Sequence, residues 1–148
     1  MPNEHVDIAR RAYEAGTRRP PDLAIVNALY HFDHELITPL SRLEGTTYRG
    51  KAGFREWFSS REEDWDELKF QLEAAVGVDD ERVLVAARFT ARGKRGGVRI
   101  EELQGLVMTV REGRVVRTEA FNTVEEAVAA ACVTDADRER MLAELGLA

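Results

Sequence analysis

The sequence predicts an α+β domain, and three observations carry that prediction. Apolar residues recur at helical spacing through the first 65 residues, the period switches to two at residue 68, and tight turns then separate successive strands. Helices followed by strands joined through short turns indicate an antiparallel sheet packed against helices, not a parallel doubly wound one.

Each element has a local reason. Residues 4–16 place Ile8, Ala9, Ala12, Tyr13 and Gly16 on one side of a helix and leave Arg10, Arg11 and Glu14 largely outside that stripe. Pro20-Pro21-Asp22 opens a second helix, because proline is tolerated in a first turn and aspartate suits an N-terminus. Its apolar positions are Leu23, Val26, Leu29 and Tyr30. Leu36 to Leu40 reads as a short strand, with Pro39 marking an edge or bulge. The stretch from Gly45 to Gly50 is turn-rich, and Phe54, Trp57, Phe58, Arg61 and Trp65 then make a third amphipathic helix.

Leu68, Phe70, Leu72, Ala74, Val76 and Val78 alternate as a strand does, and Asp79-Asp80-Glu81 supplies a turn. Further strands are expected over about 82–92, 98–110 and 115–122, joined at Gly93–Gly97 and at Glu112-Gly113. Thr123-Val124-Glu125-Glu126 is a capping box that starts a helix. Thr134 and Asp135 cap a last short helix carrying Met141, Leu142 and Leu145 and ending at Gly146.

A length of 148 residues suits one domain with a real core. No repeat or linker interrupts it, so the organisation expected is a main domain over 1–130 with a C-terminal helical tail, 131–148, packed on it. Twenty-one basic residues against 27 acidic ones leave a formal charge of −6, which argues against nucleic acid or an anionic membrane as partner. The single cysteine, Cys132, excludes an internal disulfide. No run approaches the roughly 20 apolar residues of a membrane span, and the polar start lacks a signal-like apolar run, so a cytoplasmic protein is expected.

Tyr13, the segment from Leu40 to Gly50 (LSRLEGTTYRG), the Phe54/Trp57/Phe58 helix and Val110–Val116 together resemble the SnoaL-like family, of the nuclear transport factor 2-like superfamily. The resemblance covers about residues 4–130. It implies a cone-shaped, strongly bent antiparallel sheet wrapped around three N-terminal helices, with a C-terminal helical extension. Relatives include polyketide cyclases, ketosteroid isomerases, limonene epoxide hydrolases, dehydratases and binding proteins without activity, so the fold does not name a function.

The pocket depends on which strand face looks inward. With Gly93–Gly97 as the loop, residues 92 and 98 pair, and so do Arg88 with Glu102 and Ala86 with Gln104. One face then carries Leu84, Ala86, Arg88, Thr90, Glu102, Gln104, Leu106 and Met108. Periodicity leaves open whether Thr118, Ala120 and Asn122 or their neighbours join it. The resemblance selects the former, since Ala120 matches the catalytic aspartate of the cyclases and the hydrolase, and Leu106 matches the protonated aspartate of the isomerase. The isomerase base matches the region of Thr38. None of the three is an acid here, which removes the family's carboxylate chemistry.

The candidates for chemistry are Tyr13, which matches the isomerase's oxyanion donor, and an Arg88–Glu102 pair. A core tyrosine and a solvated cross-strand pair are the plainer alternatives. The expected ligand contacts are Thr38, Trp57, Gln104, Leu106, Met108, Thr118, Ala120 and Asn122. His31-Phe32-Asp33-His34-Glu35 has metal-like spacing but spans a helix end and a turn, so no metal and no cofactor is expected.

The opposite face, with Val83, Val85, Ala87, Phe89, Leu103, Gly105, Val107, Val115 and Phe121, would meet water unless a second copy covered it, so a homodimer through the outer sheet face is expected. The expected function is binding of a small apolar or aromatic molecule in a largely apolar pocket, with isomerase, cyclase, dehydratase or hydrolase activity left open. The alternative is a non-catalytic dimeric interaction or accessory module.

Overall fold

Six strands form one curled, unclosed sheet in the order β2-β1-β6-β5-β4-β3, with helices on both faces. The computed structural model describes residues 2–132 and 134–147. In chain order the elements are α1 (Pro2–Thr17), α2 (Leu23–Leu29), β1 (Tyr30–Ile37), α3 (Pro39–Glu44), β2 (Tyr48–Arg49), α4 (Gly50–Asp64), β3 (Trp65–Gly77), β4 (Arg82–Gly93), β5 (Arg99–Arg111), β6 (Arg114–Phe121), α5 (Val124–Ala131) and α6 (Asp135–Glu144). All neighbours pair antiparallel except β1 and β6, which run parallel. Four helices precede β3, one more than expected.

The extra helix, α3, lies where a strand was expected. Thr38 Oγ1 accepts from the Ser41 N–H at 3.1 Å while Ser41 Oγ accepts from the Thr38 N–H at 2.8 Å, a reciprocal cap. Pro39 then occupies the first turn, so it opens a helix instead of ending a strand. The strand itself starts earlier, at Tyr30, because the Tyr30 N–H bonds the Val26 carbonyl and the chain leaves α2 directly in extended form.

The β4–β5 register is one residue away from the expected one. Arg92 pairs with Arg99, and the Gly93 N–H donates to the Val98 carbonyl at 2.7 Å, so the loop takes in Val98. Arg88 therefore opposes Leu103, and Glu102 opposes Phe89. A one-residue slip turns every side chain of a strand to the other face. Val83, Val85 and Ala87 thus join Leu106, Met108 and Ala120 on the inner face, under Ala9, Ala12 and Tyr13 of α1. Leu84 and Ala86, expected on that inner face, lie outside with Val107.

The outer apolar face is covered by the chain itself. Val124, Ala127, Val128 and Ala131 of α5 and Met141 of α6, with Leu145 just beyond it, pack on Leu84, Ala86 and Val107 to make a second core. Burying this face against a second copy is therefore not required, which removes the physical reason for the expected dimer. Gly105 permits the contact: a Cβ there would lie 2.6 Å from Ala127 Cβ and 2.8 Å from Val124 Cα. No described helix is long and apolar enough to cross a membrane.

Candidate functional site

A cavity of about 470 Å³ opens between α2, β1 and α4, with Arg114 reaching it from β6. Asp22 Oδ1 accepts from the Ile25 N–H at 3.3 Å and so starts α2, which brings Leu23 and Val26 to one wall. Gly50 makes the opposite wall possible. It turns the chain from β2 into α4 with a φ of 63°, and a Cβ there would lie 2.7 Å from the Phe32 carbonyl oxygen. Phe54 and Phe58 of α4 line the cavity together with Tyr30 and His34 of β1, the Tyr30 and Phe54 ring centroids 6.2 Å apart.

His34 is the buried polar residue of this wall, 4% exposed. Its Nε2 lies 2.8 Å from Thr118 Oγ1, and the Tyr30 ring meets its edge with centroids 4.8 Å apart. The Thr118 contact fixes the ring through Nε2. Burial, with a smaller contribution from His31, pushes its pKa down from 6.5 to about 4, so the imidazole is neutral at pH 7. A neutral ring held at one nitrogen can offer the other to a ligand as donor or acceptor. Burial also pushes the Tyr13 and Tyr30 phenols up, which keeps both neutral donors.

The mouth has a different character from the floor. Arg19, Lys51, Arg55 and Arg114 surround it, and Glu62 is its one carboxylate, bound 2.7 Å from Arg19. His31 and His34 both reach the wall, yet among the described residues no group of three potential metal ligands converges.

None of the residues expected to touch a ligand lines this cavity. Leu106 and Met108 are buried under α1, with Ala120 packed beside them. Thr38 caps α3, Thr118 holds His34, Gln104 opposes Ala87, and Asn122 is exposed beyond β6. Trp57 packs edge-on against Phe58 with centroids 4.7 Å apart and near Phe70 at 5.9 Å, and is not among the residues lining the cavity. Tyr13 is a core residue of α1.

The expected Arg88–Glu102 pair is not formed. Arg88 stands on the outer face between Glu73 at 2.9 Å and Glu101 at 3.1 Å, because the register shift moved it there. The sequence singles out His34 only for its metal-like spacing, not as a buried polar residue of a cavity wall. The signal was available in His34, Leu36 and Thr38, which alternate and are all buried, but an irregularity in pairing between Tyr30 and Glu35 hides the period upstream.

The sequence matches the SnoaL-like domain over residues 9–118. The chain belongs to the SnoaL-like family. Among solved structures, this SnoaL-like chain is similar to a nuclear transport factor 2-like protein from Burkholderia thailandensis, at 24% identity and a TM-score of 0.66, covering 88% of this chain and 98% of the other. It is also similar to TerC co-crystallised with polyporic acid, at 20% identity and a TM-score of 0.67, covering 80% and 91%. A third is a protein of ketosteroid isomerase-like fold from Catenulispora acidiphila in complex with trimethylamine, at 13% identity and a TM-score of 0.63, covering 84% and 91%. At these identities the likeness shows the fold alone. Comparison with curated proteins finds no match.

Proposed function

We propose that this SnoaL-like chain binds a small, largely apolar molecule in the cavity between α2, β1 and α4, with His34 as its polar anchor. The observation that carries the reading is the pairing of apolar walls with one neutral, pre-positioned imidazole. Ligand sites are typically concave and apolar with a few convergent polar groups. Two proteins of the same fold, TerC and the Catenulispora protein, hold small molecules in their crystals.

Binding leads over proton transfer in this reading. An acid–base catalyst works best with a pKa near the operating pH, and an imidazole lowered to about 4 is a weak base there. Glu62 is already committed to Arg19, and Arg88 and Glu102 lie on opposite faces of the sheet. Of the expected site residues, Thr118 enters through His34, which it orients.

Native mass spectrometry of freshly purified protein tests the reading, set beside Val26→Trp, which fills the cavity from α2. The parent should carry a bound small molecule that the variant loses. Retention of the same molecule by Val26→Trp places the ligand elsewhere and defeats the proposal.

A further inference from the structure

We infer that the ligand of this cavity is an amphipathic anion, a carboxylate on an aryl or alkyl body, with its charged head at the mouth and its body toward Val26, Phe54 and Phe58. The inference rests on the binding reading above and deepens it. Four cations and one carboxylate line the cavity, a local excess of three positive charges on a chain whose formal charge is −6.

That excess is not consumed within the protein. Among the described residues, Lys51, Arg55 and Arg114 have no carboxylate within 4.0 Å, although 13 ion pairs form elsewhere or at Arg19. Lys51 and Arg55 are four residues apart on α4 and both front the cavity, a like-charge spacing that disfavours the helix by itself. Arg114 comes from a separate element and reaches the same mouth because β6 runs beside β1, with Tyr30 opposite Val115. Two independent parts of the chain thus present unpaired positive charge to one opening.

Exposure sets the orientation of the ligand. Lys51, Arg55 and Arg114 are exposed, while Phe58 and His34 are buried at 8% and 4%, so charge sits outside and apolar surface inside. Leu23 and Phe32 flank the opening at 65% and 79% exposure, apolar surface that a ligand body can cover. A positive rim in a negative protein attracts anions and repels amines of the same shape.

Isothermal titration with 2-naphthylacetate and decanoate, each beside its amide and its amine, tests the inference at low and high salt. Each acid should bind about tenfold tighter than its amide, with the amine weakest, and salt should shrink the difference. Lys51→Gln, Arg55→Gln and Arg114→Gln should each weaken the acids about two- to fivefold and leave the amides unchanged. An amide or amine that binds as tightly as its acid, or substitutions that weaken acid and amide alike, would overturn the anion inference and leave the binding reading standing. Failure of all six probes to bind folded protein would overturn the anion inference too, and the binding reading would then stand or fall on the native mass spectrum.

Discussion

Gly105→Ala places a methyl group where α5 already lies. The new Cβ would meet Ala127 Cβ at 2.6 Å, Val124 Cα at 2.8 Å and the Thr123 carbonyl oxygen at 2.9 Å. Two of these are backbone atoms, so no rotamer change relieves them. Restoring a carbon separation of about 3.5–4.0 Å requires α5 to retreat by roughly 1 Å, and a gap of that size forfeits about a quarter to a half of each contact it opens. Overpacking of this kind costs about 1–3 kcal/mol, to which the loosened second core adds, while the lower chain entropy of alanine returns about 0.5–1 kcal/mol. A net loss of about 2–3 kcal/mol, or about 6–10 °C in Tm, is expected. Urea denaturation followed by far-UV circular dichroism at two protein concentrations measures it. The midpoint should fall with the slope unchanged, and it should not depend on concentration, because the chain's own helix covers this face. A variant within about 0.5 kcal/mol of the parent would refute the close packing of α5 on β5.

Three further outcomes follow from the site and its surroundings. His34 titrates near 6.5 when unfolded and at about 4 when folded, so between those values the unfolded chain binds more protons. Its contribution is therefore complete above pH 6.5 and is lost as pH falls toward 4, up to about 3 kcal/mol, and denaturation of His34→Gln should show a shallower fall than the parent over that window. Parallel curves would mean that the imidazole is hydrated in the folded protein. Arg88→Ala should leave ligand binding intact and cost little stability, the loss vanishing in high salt, since its pairs with Glu73 and Glu101 are exposed. A large loss of binding would restore Arg88 to the site. Cys132 is 6% exposed with its thiol pushed up by burial, so Ellman's reagent should label it only at the rate of unfolding; rapid labelling of the native protein would show the end of α5 to be open.

Local pattern made much of this protein readable. The Thr123 and Thr134 caps and the turns at Asp79 and Gly113 depend on residues a few positions apart, and the structure keeps them. The switch of period comes earlier than expected, at Trp65, which opens β3 instead of closing α4, and a bulge between Leu72 and Ala74 breaks the expected alternation, so that Ala74, Val76 and Val78 face the second core while Phe70 and Leu72 face the first. The register of β4 against β5 was decided elsewhere. A glycine-rich loop accommodates either pairing, and the choice was made by which strand face meets α1 and which meets α5 and α6. That choice sent Arg88 outward and Val85 inward. The cavity likewise depends on α2, β1, α4 and the start of β6 coming together across more than 90 positions of sequence, from Arg19 to Arg114. Periodicity reports which residues share a side of one element; only packing between elements decides what that side faces.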